Sequence, residues 1–433
     1  MRGNDASPAY VHDATLIASA SQAALERKRV WIVVMAALVA MTAQFFRNAH
    51  VVVAPDIMRE LDASAASLAA LTSAMFLASA FTQIPGGILL DRFGTRVMMP
   101  IMLVLSGIGA GLFGAAHSVG GLVFARAFMG MGGAVLVMAG IVACVRWFDA
   151  RHFSTIAGGI MATSQLGNLV STVPMALVAS WFGWRGAYVA LLVATLLLAV
   201  LVYTLVRDAP PGHDFHTRPR ETLRQSAAGV MEVLRIPGIW RLMMMAWFAW
   251  GTTSCIIGLW AGPYLSDVHG LDTLGRGKAL FWMAIGVIVG ALGFTLLDRW
   301  TARTKRSIVL GGAASSIVFA VLALWPRPSL TTATLLLTLL GLIGGYSVLI
   351  ATHGRQFYPD RLIGRGISTV NCAVLFGAAS LQVLTGAIVQ TLTSADGAIG
   401  EIAYRAMFGA LSAPLLIALA CYRRCPEKPA TRV

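Results

Sequence analysis

Long apolar blocks separated by short polar segments run along nearly the whole chain. Each block holds about 20 or more mostly apolar residues, the length that an α-helix needs to cross a bilayer. Six blocks precede a polar stretch at 207–238, and six follow it. The pattern predicts twelve membrane-spanning helices, span one to span twelve, at 30–54, 65–89, 97–116, 119–145, 154–180, 186–206, 239–265, 276–297, 307–325, 330–352, 363–390 and 402–422.

The blocks indicate an all-α polytopic membrane protein built from two six-helix halves. The polar stretch "RDAPPGHDFHTRPRETLRQS" is rich in proline and charge, so it predicts a central loop on one side of the membrane. An amphipathic piece near 221–235 is expected to lie on the membrane surface. The predicted regions are an N-terminal tail at 1–29, a first half at 30–206, the central loop at 207–238, a second half at 239–422 and a C-terminal tail at 423–433.

Composition and charge support the membrane assignment and predict the orientation. Charged residues are 12% of the 433 residues, against roughly 25% in soluble domains. The net charge of +14 comes from basic residues that flank the apolar blocks, so a nucleic-acid partner is not expected. Most of the 33 lysines and arginines lie on the side of the two termini. The positive-inside rule therefore predicts cytoplasmic termini in a plasma membrane, the bacterial inner membrane, with the lipid bilayer as a partner.

The string "GGILLDRFGTR" at 86–96 follows span two, and "GFTLLDRWTARTKR" at 293–306 follows span eight, its equivalent in the second half. Paired glycines permit close helix approach, and the aspartate can cap a helix or pair with an arginine. The string resembles the loop signature of the major facilitator superfamily; an ordinary charged turn is the alternative. The resemblance predicts a set of gating residues: Gly86, Asp91, Arg92, Gly94, Arg96, Arg146, Asp298, Arg299, Arg355, Asp360 and Arg361.

The same resemblance extends over the whole chain. "RAFMGMGGA" in span four and "FGWRGAY" before span six are similar to further superfamily features. The resemblance implies a transporter that works by alternating access between two halves, and not an enzyme. By that resemblance, Asp91 and Arg146 would lock the outward-facing state. Span five lacks the Gly-Pro pair of the superfamily's antiporter signature, which argues against a proton-driven drug exporter.

A polar stripe interrupts span one at "QFFRNAHVVVAPD". Gln44, Arg47 and Asn48 fall within about half a turn of one helix face, and His50 belongs to the same stripe. Arg126 in span four lies at about the same depth, so the two arginines are predicted to converge on one cavity. The alternative is that each guanidinium extends to water at the nearer membrane surface.

The acidic residues decide the expected charge of the substrate. All 19 of them fall in loops or at span ends, which leaves the two arginines without a carboxylate in the membrane. A bidentate carboxylate or phosphate of the substrate would supply the negative charge. The segment "RNAHVVVAP" resembles span one of the superfamily's anion porters. The organophosphate exchangers among these porters have a matching arginine in span seven. Here "LMMMAWFAWGTTSCIIGLWAGPYL" at 242–265 contains none, so a carboxylate is favoured.

Further polar and aromatic residues inside the spans are candidates for substrate contact. Each has a structural alternative: a tryptophan can face lipid, an amide can join two helices, and His50 fits proton coupling and a structural hydrogen bond about equally. The full predicted set is Arg47, Arg126, Gln44, His50, Gln165, Asn168, Trp247, Trp250, Asn371 and Gln382.

The sequence therefore predicts a secondary transporter that takes up a small organic anion, coupled to protons or to a counter-anion. Export of drugs or metabolites is the alternative within transport, and a membrane sensor that binds a solute without carrying it is the alternative outside it. No metal-ligand spacing and no nucleotide-binding loop is evident, so no cofactor or ATP is expected. The chain is expected to work as a monomer.

Overall fold

The computed structural model describes residues 8–148, 150–210, 223–301, 303–359, 362–394 and 399–426. Within these ranges every regular element is a helix. Helices are the elements that a mostly apolar chain can place in lipid, because each one satisfies its own backbone hydrogen bonds. The predicted all-α membrane fold is confirmed.

The N-terminal half contains the helices of spans one to six. The first helix begins at Pro8, inside the predicted N-terminal tail, and continues without a break through span one. The helices of this half are Pro8–Leu61, Ala65–Phe93, Thr95–Ala115, Val119–Gly133, Leu136–Trp147, Ala150–Val170 and Val173–Leu205.

The C-terminal half follows the short helix Leu223–Leu234, which lies where the amphipathic piece of the central loop is predicted. Span seven contains a π-helical turn and span ten a 3₁₀ turn. The elements of this half are Ile239–Cys255, the π-helix Ile256–Trp260, Ala261–Asp267, Thr273–Thr301, Thr304–Leu324, Leu330–Gly344, the 3₁₀ turn Gly345–Ser347, Val348–Arg355, Ile363–Thr391 and Glu401–Arg423.

The described residues contain 11 helical segments long and apolar enough to cross a membrane, against the twelve predicted spans. The difference lies in spans five and six, which form one segment of 48 residues, Gly158–Leu205. Gly183 adopts φ 68° inside it, a left-handed value that glycine tolerates, so the chain bends between the two predicted spans.

The helices pack closely where small residues face a neighbouring backbone. In the first half, Gly130 of span four lies against the backbone of Met75 in span two, and Gly167 of span five lies against the backbone of Met41 in span one. A side chain at either glycine would collide with main-chain atoms. Small residues are the usual means of such contact in lipid, where no hydrophobic force drives helices together.

The two halves meet on the outer side, defined as the side where span one ends at Leu61 and span two begins. Gly386 of span eleven lies against Ala69 of span two, and Gly262 of span seven lies against Val51 of span one. The Ser73 hydroxyl in span two also donates to the Ala379 carbonyl of span eleven at 3.1 Å. The halves are therefore in direct contact at their outer ends.

A buried arginine joins the halves at the same side. Arg276, at the start of span eight, is 1% exposed and donates to the Asp56 carboxylate at 2.8 Å and to the Val52 carbonyl at 3.0 Å. Both acceptors belong to span one, and the Thr273 hydroxyl donates to the same Asp56 oxygen at 3.0 Å. This cross-half contact, the outer lock, closes the outer side.

Candidate functional site

A cavity of about 830 Å³ lies between the two halves. It extends from the level of Asn48 and Ile257, near mid-membrane, to Arg299 and Tyr358 on the inner side, which is the predicted cytoplasmic side. Spans one, two and five supply one wall, and spans seven, eight, ten and eleven supply the other. The cavity is thus open toward the inner side and closed by the contacts described above on the outer side.

Arg47 lies in the wall of this cavity together with Gln44 and Asn48. Its guanidinium carbon is 6.0 Å from the ring centroid of Trp250, in span seven of the opposite half. The Arg47 guanidinium contacts this ring. It has no hydrogen-bond or ion-pair partner among the residues that the structure describes. A half-buried guanidinium in this position can bind an anion with all of its N–H donors.

Two amide pairs flank Arg47 along the face that span one shares with span five. Gln44 Nε2 donates to Gln165 Oε1 at 3.0 Å, and Asn48 Nδ2 donates to Asn168 Oδ1 at 2.5 Å. All four amides line the cavity. Each pair uses one donor and one acceptor, so each leaves N–H donors that can face a bound anion.

Arg126 lies behind Arg47 and outside the cavity lining. It is completely buried, and its Nη1 donates to the Phe46 carbonyl at 2.7 Å while Nη2 donates to the Arg47 carbonyl at 3.4 Å. The sequence predicts Arg47 and Arg126 at a similar depth, and in the structure the two residues are in contact. The Arg126 guanidinium, however, contacts the main chain of span one, so its role in the structure is to hold the backbone that carries Arg47.

The two candidate tryptophans of span seven occupy different places. Trp250 lines the cavity and packs edge-on against Phe76 of span two, with ring centroids 5.6 Å apart. Trp247 donates to the Ser380 hydroxyl at 3.0 Å and stacks on Phe376, which places it at the contact of spans seven and eleven. Trp250 is therefore the tryptophan that the fold brings to Arg47.

The remaining candidates lie at different depths. Asn371 lines the cavity, whereas His50 is fully buried at the outer end and its Nε2 is 3.2 Å from the Thr72 hydroxyl. Gln382 is also fully buried, beside Gly258 of the π-helical turn, and its side-chain amide has no hydrogen-bond partner among the described residues. The predicted common face of Asn371 and Gln382 therefore runs from the cavity into the closed outer contact.

Charge in the described cavity lining is entirely positive. Arg47 and Arg299 are its ionisable residues of fixed charge, and the lining contains no aspartate or glutamate. Arg299 belongs to the loop signature of the second half and lies exposed at the inner mouth. Arg47 is therefore the deep cation of the cavity and Arg299 the shallow one.

The predicted gate of the first half lies on the inner side. A Cβ on Gly86 would be 2.8 Å from the Val135 side chain of span four, so this glycine allows close packing of spans two and four. Arg96 donates to the Tyr203 carbonyl at 3.4 Å, and Arg92 contacts the ring of Phe93. The Asp91 side chain lies outside the described part of the structure.

A carboxylate that the sequence analysis did not single out joins this gate. Asp208, directly after span six, accepts from the Thr95 hydroxyl at 3.0 Å and from the Arg96 backbone N–H at 2.9 Å. Arg146 approaches the same carboxylate at 3.9 Å, and Gly94 turns beneath it with φ 79°. Asp208 thus caps the start of span three. Its position directly after the end of span six is the feature of the sequence that could have identified it as a gate residue.

The second-half gate is described in part. Asp298 is partly buried and Arg355 is exposed at the inner end of the helix Val348–Arg355. Asp360 and Arg361 lie outside the described residues. The described residues contain no group of three or more histidine, cysteine, aspartate or glutamate side chains that could hold a metal ion.

Two helical halves around a central cavity that opens to one side define a secondary transporter, a protein that moves a solute by alternating access, and not an enzyme. The sequence model of the Major Facilitator Superfamily matches residues 36–373, and the chain belongs to this superfamily.

Relatives and a solved structure agree with this assignment. The hexuronate transporter of Escherichia coli (strain K12) is 25% identical over 412 residues, covering 89% of this chain and 91% of its own. The probable L-galactonate transporter of the same strain is 25% identical over 366 residues, 78% of each chain. A bacterial homolog of the human lysosomal transporter Spinster, in an inward-facing and occupied conformation, has a TM-score of 0.77 at 18% identity over 93% of this chain and 99% of its own, which shows the shared fold.

Proposed function

We propose that this protein is a secondary active transporter of a small organic carboxylate and that Arg47 is its principal contact to the anion. The observation that carries the proposal is the Arg47 guanidinium, which faces the cavity without a carboxylate or hydrogen-bond partner among the described residues. The substrate carboxylate supplies the charge that the protein does not.

Electrostatics favours an anion over a neutral or cationic substrate. Removing a guanidinium from water costs several kcal/mol unless a partner of opposite charge replaces the water. The described cavity lining holds no acidic residue, so that partner comes with the substrate, as a bidentate carboxylate on the Arg47 fork. The amides at Gln165 and Asn168 then donate to the remaining carboxylate lone pairs. A cation at this position is repelled.

The two relatives described above favour a carboxylate among the possible anions. They are named for hexuronate and for L-galactonate, which are both sugar acids with one carboxylate. A phosphate ester is less suited to this chain, because span seven contains no arginine beyond its inner end, from Leu242 to Leu265, to share the second negative charge. A single guanidinium matches a single carboxylate.

The direction and the coupling belong to the same proposal. With the inner side cytoplasmic, the cavity is open to the cytoplasm of a bacterial cell, and release of substrate from this state corresponds to uptake across the inner membrane. Coupling is to a proton or to a counter-anion. Among the described residues, the cavity lining contains no carboxyl group or histidine, and His50 is packed against Thr72, so an anion bound to Arg47 on the return step is the simpler of the two.

Ligand binding tests the charge of the substrate directly. The purified full chain is screened by thermal shift against monocarboxylates, phosphate esters, neutral sugars and amphipathic cations. We expect monocarboxylates to raise the melting temperature of the wild-type protein and to have no effect on Arg47→Ala. Stabilisation by cations, or equal stabilisation of both proteins by an anion, contradicts the proposal and favours drug export.

Counterflow in proteoliposomes then tests transport itself. Vesicles loaded with the stabilising carboxylate accumulate the labelled compound transiently when a carrier exchanges it across the membrane. We expect saturable counterflow with wild type and none with Arg47→Ala. Binding without counterflow identifies a sensor instead of a carrier.

A further inference from the structure

The two walls of the cavity differ in chemistry. The wall of the N-terminal half carries Arg47 and the amides of Gln44, Asn48, Gln165 and Asn168. The wall of the C-terminal half is mostly aliphatic, with side chains from spans seven, eight and eleven. The branched aliphatic side chains of this wall include Ile257, Val287, Ile288, Leu292, Val370 and Val374.

Hydroxyl groups on the C-terminal wall are partly used within their own helices. The Thr253 hydroxyl donates to the Ala249 carbonyl at 3.3 Å, and the Thr295 hydroxyl donates to the Ala291 carbonyl at 2.7 Å. Neither donor is then free for a substrate, and the other hydroxyls among the described lining residues of this wall are those of Ser254, Ser347 and Tyr358. Asn371 is the amide on this wall, and Arg299 lies at the inner mouth, away from Arg47.

Aromatic rings extend the apolar surface up to the anion site. Trp250 lies under the Arg47 guanidinium, 6.0 Å from its central carbon, and Phe76 packs edge-on against Trp250. Both rings line the cavity. A carboxylate bound to Arg47 therefore has amides on one side and carbon surface on the other.

We infer that the substrate is an amphipathic monocarboxylate whose compact apolar body, an alicyclic or aryl ring, packs against the aliphatic wall of the C-terminal half. The inference rests on the proposed function and names the class of anion that the same site takes. Alternating access brings the two walls together around the substrate, and the water in the cavity is lost at that step. Ring hydroxyls facing aliphatic side chains would lose their hydrogen bonds, whereas ring carbons gain from burial.

This substrate class differs from that of the sugar-acid relatives named above. A sugar acid and an alicyclic acid share the carboxylate and the ring size, and they differ in the hydroxyls. In both cases the N-terminal wall binds the carboxylate. The C-terminal wall therefore decides between them.

A matched set of three ligands tests the inference on the purified full chain by calorimetric titration. The set is cyclohexanecarboxylate, glucuronate and the neutral cyclohexanecarboxamide. We expect cyclohexanecarboxylate to bind about tenfold or more tightly than glucuronate, because the mostly aliphatic wall leaves ring hydroxyls short of hydrogen-bond partners once the cavity loses its water. We also expect it to bind about tenfold or more tightly than the amide, because the amide lacks the charge.

Each outcome separates the two claims. Glucuronate binding as well as or better than cyclohexanecarboxylate, with both dependent on Arg47, overturns the apolar-body inference and leaves the anion proposal intact. The amide binding as well as the acid overturns the anion proposal. Absence of binding by all three overturns the inference for compact rings.

A substitution in the aliphatic wall gives a second measurement. Val374→Thr keeps the shape of the side chain and replaces a methyl group with a hydroxyl. We expect it to weaken cyclohexanecarboxylate binding by about three- to fivefold, with no loss for glucuronate. The matched control is Val289→Thr in span eight, at a position 50% exposed and outside the cavity lining. Equal effects of the two substitutions would place the apolar body elsewhere.

Discussion

Two arginines inside the first half have separate tasks at the scale of single residues. Arg126 is completely buried and donates to the carbonyls of Phe46 and Arg47. Arg47 faces the cavity and contacts Trp250. One guanidinium therefore stabilises the backbone of span one, and the other is available for a ligand. The difference follows from the direction each side chain takes, since both lie at a similar depth.

Loss of Arg126 is expected to destabilise the protein more than loss of Arg47. Arg126→Gln removes charge-assisted hydrogen bonds to two carbonyls, each of which contributes roughly 1.5–3 kcal/mol. We expect its thermal denaturation midpoint to fall well below that of wild type. Arg47→Gln, the matched control, removes an unpaired charge and is expected to melt at or above the wild-type midpoint. The opposite ranking of the two variants would contradict the assignment of Arg126 to the backbone.

The sequence could indicate the stripe in span one but not the orientation of every polar residue. Periodicity placed Gln44, Arg47 and Asn48 on one helix face, and the structure has all three in the cavity wall. Arg126 and Gln382 are different, because whether they face the cavity depends on how spans four and eleven are rotated against their neighbours. Such rotation depends on how the helices pack against one another, and the residue pattern within a single helix does not specify that packing.

Helix contacts at the outer side determine which state the structure represents at the scale of elements. Spans one and seven, and spans two and eleven, approach through Gly262 and Gly386. The outer lock adds the ion pair between Arg276 and Asp56 at 2.8 Å. Because Asp56 belongs to the first half and Arg276 to the second, this pair breaks when the outer side opens.

Weakening the outer lock is expected to shift the protein toward an outward-open state. Asp56→Asn removes the charge that compensates the buried Arg276, and truncating one partner of a buried pair costs roughly 3–5 kcal/mol. Spin labels at Ala70 and Thr391, on the outer parts of spans two and eleven, report the opening as a population of longer distances in pulsed electron resonance. Arg327→Gln is the control, since Arg327 is 81% exposed at the outer side and pairs with Glu401 of its own half at 3.2 Å, a surface pair of small value. Identical distance distributions in all three proteins would exclude the lock as a determinant of the state.

The pattern of apolar residues predicted the helices better than it predicted the bends and breaks in them. Twelve spans in two halves follow from block length alone. The bend at Gly183 within one long segment, and the break after Gly133 in span four, arise from local backbone geometry that block length does not carry. The outer lock joins residues far apart in the chain, and no local pattern marks such a pair.

The whole molecule combines a cavity whose described lining is positive and free of acidic residues with a closed outer side and an open inner side. The closed side depends on contacts between the halves, and the open side leaves Arg47 accessible from the predicted cytoplasm. Alternating access exchanges the two sides around the same site. The proposed transport of an organic anion therefore depends on one deep cation that both states can expose.

The affinity of a carboxylate for wild type and for Arg47→Gln tests this account most directly. The measurement uses the best carboxylate from the thermal-shift screen, titrated calorimetrically against the purified protein. Arg299→Gln is the control, because Arg299 is the other arginine of the cavity lining and lies exposed at the mouth. We expect Arg47→Gln to weaken binding by about 100-fold and Arg299→Gln by about threefold or less. Equal affinity of wild type and Arg47→Gln would contradict the account.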